Sequence, residues 1–183
     1  MARGAAQLTV ELHERTSTDI VRAVAAGLVE AGIVTDAVDA GALALEPLAH
    51  DPLVLAVPPQ HALARTRAAV ALADVLGEPF VGLAHGSALQ AHVEQQIARI
   101  GRRPPALRIR MADFEGVCAM VSQGVGLGIV PQAAARAQRR RHPLRTVALS
   151  DAWARRRLCL CTRGRETLSA PMRALSDHLA GTA

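Results

Sequence analysis

Between Pro79 and Pro131 the chain repeats one alternation that few folds can accept. The apolar run Phe80-Val81-Gly82-Leu83 has the length and bulk of a buried strand. Gly86-Ser87 then opens a helical stretch over residues 88–100, closed by Gly101. Leu107, Ile109 and Met111 alternate as a second strand. Asp113 caps a helix carrying Phe114, Val117, Cys118 and Val121, and Gly124 ends it. Leu127 to Val130 is a third strand, stopped by Pro131. Strands joined through helices run parallel in one sheet, so the class is α/β.

The first third of the chain has the same rhythm. Leu8, Val10 and Leu12 alternate with polar residues as a half-buried strand. Ser17 or Thr18 is the expected N-cap of a helix with Ile20, Val21, Val24 and Leu28 at helical spacing, stopped at Gly27. Ala31-Gly32-Ile33-Val34 reads as a short buried strand, completing a βαβ unit. Residues 42–47 and 53–57 are two further strands, separated by a turn over residues 49–52 and ended by Pro58-Pro59. A short helix falls near residues 72–76 and another over 133–138. A strand over 158–161 and a helix over 171–179 close the pattern.

Half of the residues are apolar, enough for a sizeable core, but the only aromatics are Phe80, Phe114 and Trp153. That scarcity argues against a surface that stacks on single-stranded nucleic acid. All 21 basic residues are Arg, and the formal charge is +5. Arg139 to His142 and Arg155 to Arg157 are read as solvated loop charges rather than a DNA footprint. Met1 to Gln7 lacks the apolar core of an export signal, and no run is long enough to span a bilayer, so the expected compartment is the cytoplasm. There Cys118, Cys159 and Cys161 are expected to stay reduced, as small buried apolar side chains.

The glycine string Gly124-Val125-Gly126-Leu127-Gly128 invites a nucleotide-binding reading. A dinucleotide fingerprint needs a strand before the glycines and a helix after them. Here the order is reversed, so the glycines serve a helix end and a close turn. No metal-ligand spacing appears, and no catalytic set convinces: Ser87 lacks the nucleophile-elbow pattern, and His85 and His92 near it are read as incidental. No cofactor is expected. The helix starts Thr16-Ser17-Thr18, Gly86-Ser87 and Ala112-Asp113-Phe114 are more informative. Their N–H groups and hydroxyls suit an anion, and they serve ordinary capping equally well.

These segments, in this order, resemble the effector-sensing domain of LysR-type transcription regulators. The resemblance is carried by Leu8 to Glu14, Ser17-Thr18-Asp19-Ile20-Val21, Glu30 before Ala31-Gly32-Ile33-Val34, and Pro47-Leu48. It continues through Asp51-Pro52-Leu53-Val54-Leu55-Ala56-Val57-Pro58, His61-Ala62-Leu63-Ala64, Pro79-Phe80-Val81, Gly86-Ser87 and Gly126-Leu127-Gly128-Ile129-Val130-Pro131. Ala62 stands where the family usually has Pro. The resemblance implies two Rossmann-like lobes joined by two crossover strands, as in type 2 periplasmic binding proteins. Lobe I would be residues 1–57 plus 159–183, and lobe II residues 58–158.

It further implies a non-enzymatic sensor that binds a small organic or aromatic acid between the lobes. Thr16, Ser17 and Thr18 would lie on one side, with Gly86, Ser87, Met111 and Phe114 on the other. Relatives carry a DNA-binding helix-turn-helix ahead of this region, then an opening strand and helix of lobe I; Met1 to Gln7 is too short for either. In the intact regulator the domain would self-associate as a dimer or tetramer and meet DNA only through that module. A stand-alone solute-binding protein for a transporter shares the fold and is the alternative.

Overall fold

The computed structural model describes residues 11, 13 and 15–181. The strand expected at Leu8, Val10 and Leu12 lies outside them. Helix α1 (Ser17–Ala25) begins one residue earlier than the sequence suggests. Thr16, rather than Ser17 or Thr18, is the N-cap: its hydroxyl accepts the Asp19 N–H at 3.2 Å. Gly27, at φ 73°, turns the chain out of the helix. Strand β1 (Ala31–Thr35) follows, then β2 (Ala44–His50). The turn expected over residues 49–52 is shorter, because Ala49 and His50 are still in strand. Pro47 has no N–H for the ladder, and the register slips between Pro47 and Ala49.

Strand β3 (Leu53–Val57) is buried at all five positions. Helix α2 (Leu72–Val75) is one turn long, and the Asp151 carboxylate accepts its Leu72 N–H at 2.8 Å. Next come β4 (Phe80–Leu83), α3 (Ala88–Ile100), β5 (Leu107–Met111), α4 (Phe114–Ser122), β6 (Gly128–Pro131) and α5 (Gln132–Gln138). Ser87 caps α3, Gly101 closes it in the left-handed region, and Asp113 caps α4, all as the spacing predicts. Strand β7 (Arg145–Ala148) was not expected; four residues beside an arginine run give too short a pattern to read. The chain ends with β8 (Arg157–Thr162) and α6 (Ala170–Gly181).

Two sheets organise these elements. In one, β8 lies between β1 and β2 and is antiparallel to both. In the other, β4 and β5 are parallel, and β3 lies between β6 and β7, antiparallel to each. The two parts of this second sheet are stitched together by Leu127, which bridges Phe80 and exchanges backbone hydrogen bonds with Pro79 and Val81 at 2.8 and 2.7 Å.

Each sheet has its own core. The larger one gathers β3 with α3, α4 and their strands around residues such as Leu55, Leu72, Phe80, Val117 and Val130. The smaller one is Val24, Val34, Cys159 and Cys161, with Ile20 and Val21 of α1 packed on it. The chain passes between the sheets twice, at Asp51-Pro52 and in the segment between β7 and β8.

Glu30, before β1, has a local reason to be acidic. Its carboxylate accepts the Ser169 N–H at 2.7 Å, tying the approach to α6 against the end of α1. That hydrogen bond holds its carboxyl below the usual carboxylate range.

Candidate effector cleft

A cleft of about 480 Å³ opens between the elements of the two sheets, within the range of small-molecule sites. One wall is the start of α1, with Thr16, Ser17 and Thr18, and the end of β1, with Thr35, Ala37 and Val38. The hydroxyls here are largely engaged. Thr16 Oγ1 donates to Asp19 at 2.7 Å. Ser17 Oγ accepts the Thr35 N–H at 3.2 Å and lies 3.4 Å from Thr35 Oγ1, clipping the helix start to β1. The Ile20 N–H bonds to Thr16 O, so Ser17 and Thr18 carry the N–H groups of the first turn that the helix itself leaves open.

The facing wall is one side of α3. Ala88, Ala91, His92, Gln95, Gln96 and Arg99 recur at helical spacing along the cleft. Gln96 is nine-tenths buried. His92 Nε2 is buried without a hydrogen-bond partner, and its ring meets Trp153 edge to face at 5.6 Å. Burial, and then the positive charges of Arg156 and Arg99, push the His92 pKa below its usual 6.5. Arg156 closes the cleft from the second passage between the sheets. Its Nε donates to Asp51 O at 3.1 Å, its Nη2 bonds the Asp51 carboxylate, and the Asp51 N–H donates back to Arg156 O at 3.1 Å. No Asp or Glu lines the cleft among the described residues.

Of the residues proposed from sequence, Thr16, Ser17 and Thr18 line this cleft, and Gly86, Ser87, Met111 and Phe114 do not. Gly86 and Ser87 form the head of α3, next to the lining residues Ala88 and Leu89, with Ser87 Oγ accepting the Gln90 N–H. The Met111 carbonyl accepts the Ala84 N–H at 2.8 Å. The side chains of Met111 and Phe114 pack against the larger core. Sequence reasoning missed the α3 face and Arg156. A helix with Ala88, His92, Gln95 and Arg99 on one side carries a legible polar stripe, but nothing local says what it faces. Arg156 was read as a solvated charge; its side chain is only 12% exposed because Asp51 holds it.

The glycine string is structural. Gly124, at φ 79°, follows α4, and a Cβ on Gly126 would stand 2.6 Å from Pro79 O. Ser87 Oγ accepts the Gln90 N–H, and no hydrogen bond joins it to His92 among the described residues.

Two sheets with separate cores, joined by two passages and enclosing a cleft, give the chain the architecture of the type 2 periplasmic-binding-protein class. The family model of the LysR substrate binding domain matches residues 2–183, so the chain belongs to that family of effector-sensing regulatory domains. No curated protein matches it.

Solved structures with the same fold include the regulatory domain of CcmR from Synechocystis PCC6803 in complex with 2-PG. It is 18% identical with a TM-score of 0.72, over 91% of this chain and 79% of that one. The effector binding domain of BenM with benzoate is 22% identical with a TM-score of 0.68, over 94% and 77%. That of QuiR with shikimate is 16% identical with a TM-score of 0.66, over 91% and 78%.

Proposed function

We propose that the cleft binds a small organic or aromatic acid as its anion, and that this acid is the effector the domain senses. The observation that carries the reading is the electrostatics of the lining: two arginines, a histidine and the open N–H groups at the α1 start, with no carboxylate among the described lining residues. The ligands named for the solved relatives, benzoate and shikimate among them, agree with this chemistry. Thr16, Ser17 and Thr18 hold the acid from one wall, and Arg156 and the α3 face hold it from the other.

One lobe carries β1, β2 and β8 and the other β3 to β7, so the boundaries expected at residues 57 and 159 move to the two passages, which Arg156 and Asp51 tie together and about which the lobes turn. The acid changes transcription by binding one relative pose of the lobes better than another; equal binding to both would change nothing. The domain senses without catalysing, acts in the cytoplasm, and works within a dimeric or tetrameric regulator that meets DNA through a separate module. No helix among the described residues is long and apolar enough to cross a membrane.

Thermal unfolding with benzoate, shikimate and the neutral benzamide tests the reading. An acid present at about a hundred times its Kd stabilises by about 2.7 kcal/mol, which raises the midpoint of a chain this size by roughly 5–10 °C. Stabilisation by benzamide equal to that by benzoate, or steady chemical conversion of a bound acid, would overturn it.

A further inference from the structure

The two walls of the cleft are both built for negative charge, and they stand on different sheets. At the α1 wall the open N–H groups of Ser17 and Thr18 point along a helix axis, an arrangement that takes one small anionic group. The opposite wall repeats the signal with side chains. Arg99 forms no ion pair among the described residues. Arg156 spends Nε and Nη2 on Asp51, and its Nη1 has no hydrogen-bond partner among the described residues. Gln96 is nine-tenths buried and lines the cleft. His92 Nε2 is unpartnered.

Buried polar groups are nearly always hydrogen-bonded, so the orphaned His92 Nε2, with Gln96 lining the cleft one turn further on and two guanidinium groups beside them, describes a site awaiting an acceptor. The acceptor that satisfies Arg, Gln and His together is an oxyanion, carboxylate or phosphate, and Arg meets either in a forked geometry.

We propose that Arg99, His92 and Gln96, beside Arg156, form a second anion subsite, and that the effector is therefore an acid with two anionic groups, one held at the α1 start and the other on this wall. The inference rests on the cleft being the effector site and narrows the class of acid it takes. A two-headed acid touches both sheets at once, so its charge separation selects one spacing of the walls.

The test is calorimetric titration of the chain with matched acids: adipate against hexanoate, terephthalate against benzoate, and phosphoglycolate against glycolate. The diacids are expected to bind at least about tenfold more tightly than their partners, the worth of one charge-assisted contact. The third pair separates a phosphate from a carboxylate as the second group. Arg99→Gln, an exposed substitution by another good helix former, is expected to weaken the diacids at least about tenfold more than the monoacids and so to erase the preference. His92→Gln is expected to reduce it.

Equal binding of diacids and monoacids, or a preference that survives Arg99→Gln, overturns the second subsite and leaves the cleft as a monoacid site. Failure of every acid to bind overturns the anionic reading of the cleft, and this inference with it.

Discussion

Arg156 and Asp51, 105 positions apart, hold each other by side chain and by backbone at the point where the chain crosses between its two sheets. Each side chain is mostly buried, and the guanidinium also faces the cleft. One residue therefore touches both the cleft and the passage between the two sheets.

Asp51→Asn is expected to lower stability by about 2 kcal/mol, between the cost of an exposed and of a fully buried broken pair. It should at the same time tighten acid binding, because Arg156 is released from a competing carboxylate. Arg156→Gln should lose both stability and affinity. Urea denaturation and titration with terephthalate check the pair. Parallel losses of affinity in both variants would show that Asp51 positions Arg156 for the acid rather than competing for it.

His92 makes the fold sensitive to acid. Its pKa is depressed in the folded protein by burial and by Arg156 and Arg99, so the unfolded chain binds its proton more readily. The sign follows: this contribution is at its best above the ordinary histidine pKa of 6.5 and is lost as pH falls through that value towards the folded pKa. Urea midpoints of the parent chain should drop between about pH 7.5 and about pH 5.5 more than those of His92→Gln. Glu94 and Glu30, whose pKa values are lowered, add an acid-side loss common to both proteins. Identical slopes would remove His92 from the account.

Gly126 is required by space. A methyl there would stand 2.6 Å from Pro79 O and 2.9 Å from Pro79 C, backbone atoms that cannot turn aside. Gly126→Ala should destabilise by about 1–3 kcal/mol, as overpacking does. At Gly77 a Cβ has nothing within 4 Å, so Gly77→Ala should leave the urea midpoint unchanged or raise it. A tolerant Gly126 would undo the account of the glycine string as a close turn.

The cysteines should be silent in the folded protein. All three are buried, and burial pushes the Cys118 thiol up to about 11 and raises those of Cys159 and Cys161. Iodoacetamide at neutral pH should label none of them until denaturant is added, because the thiolate is the reactive form. Rapid native labelling of Cys118, followed by mass spectrometry, would contradict this.

The elements legible in the sequence are those whose signals are local. Ser87, Gly101 and Asp113 mark helix ends through their own hydrogen bonds and dihedrals, and Phe80 to Leu83 declares a buried strand by its run of apolar residues. Strand β7 gave no such signal, since it draws its definition from pairing with β3. The start of α1 was readable because capping residues announce it, whereas its place beside a cleft was implied only by the family resemblance.

The helix start at residues 16–18, the α/β class and the reversed order around the glycines followed from the sequence by itself, because periodicity and backbone preference act within a few residues. Only the tertiary structure decided that Arg156 is buried rather than solvated, that His92, Gln96 and Arg99 face a cleft, and that Met111 and Phe114 turn to the core. Those outcomes depend on which surfaces meet across a hundred positions of chain, and a side chain's charge state and partners are set by what it meets, not by its neighbours in sequence.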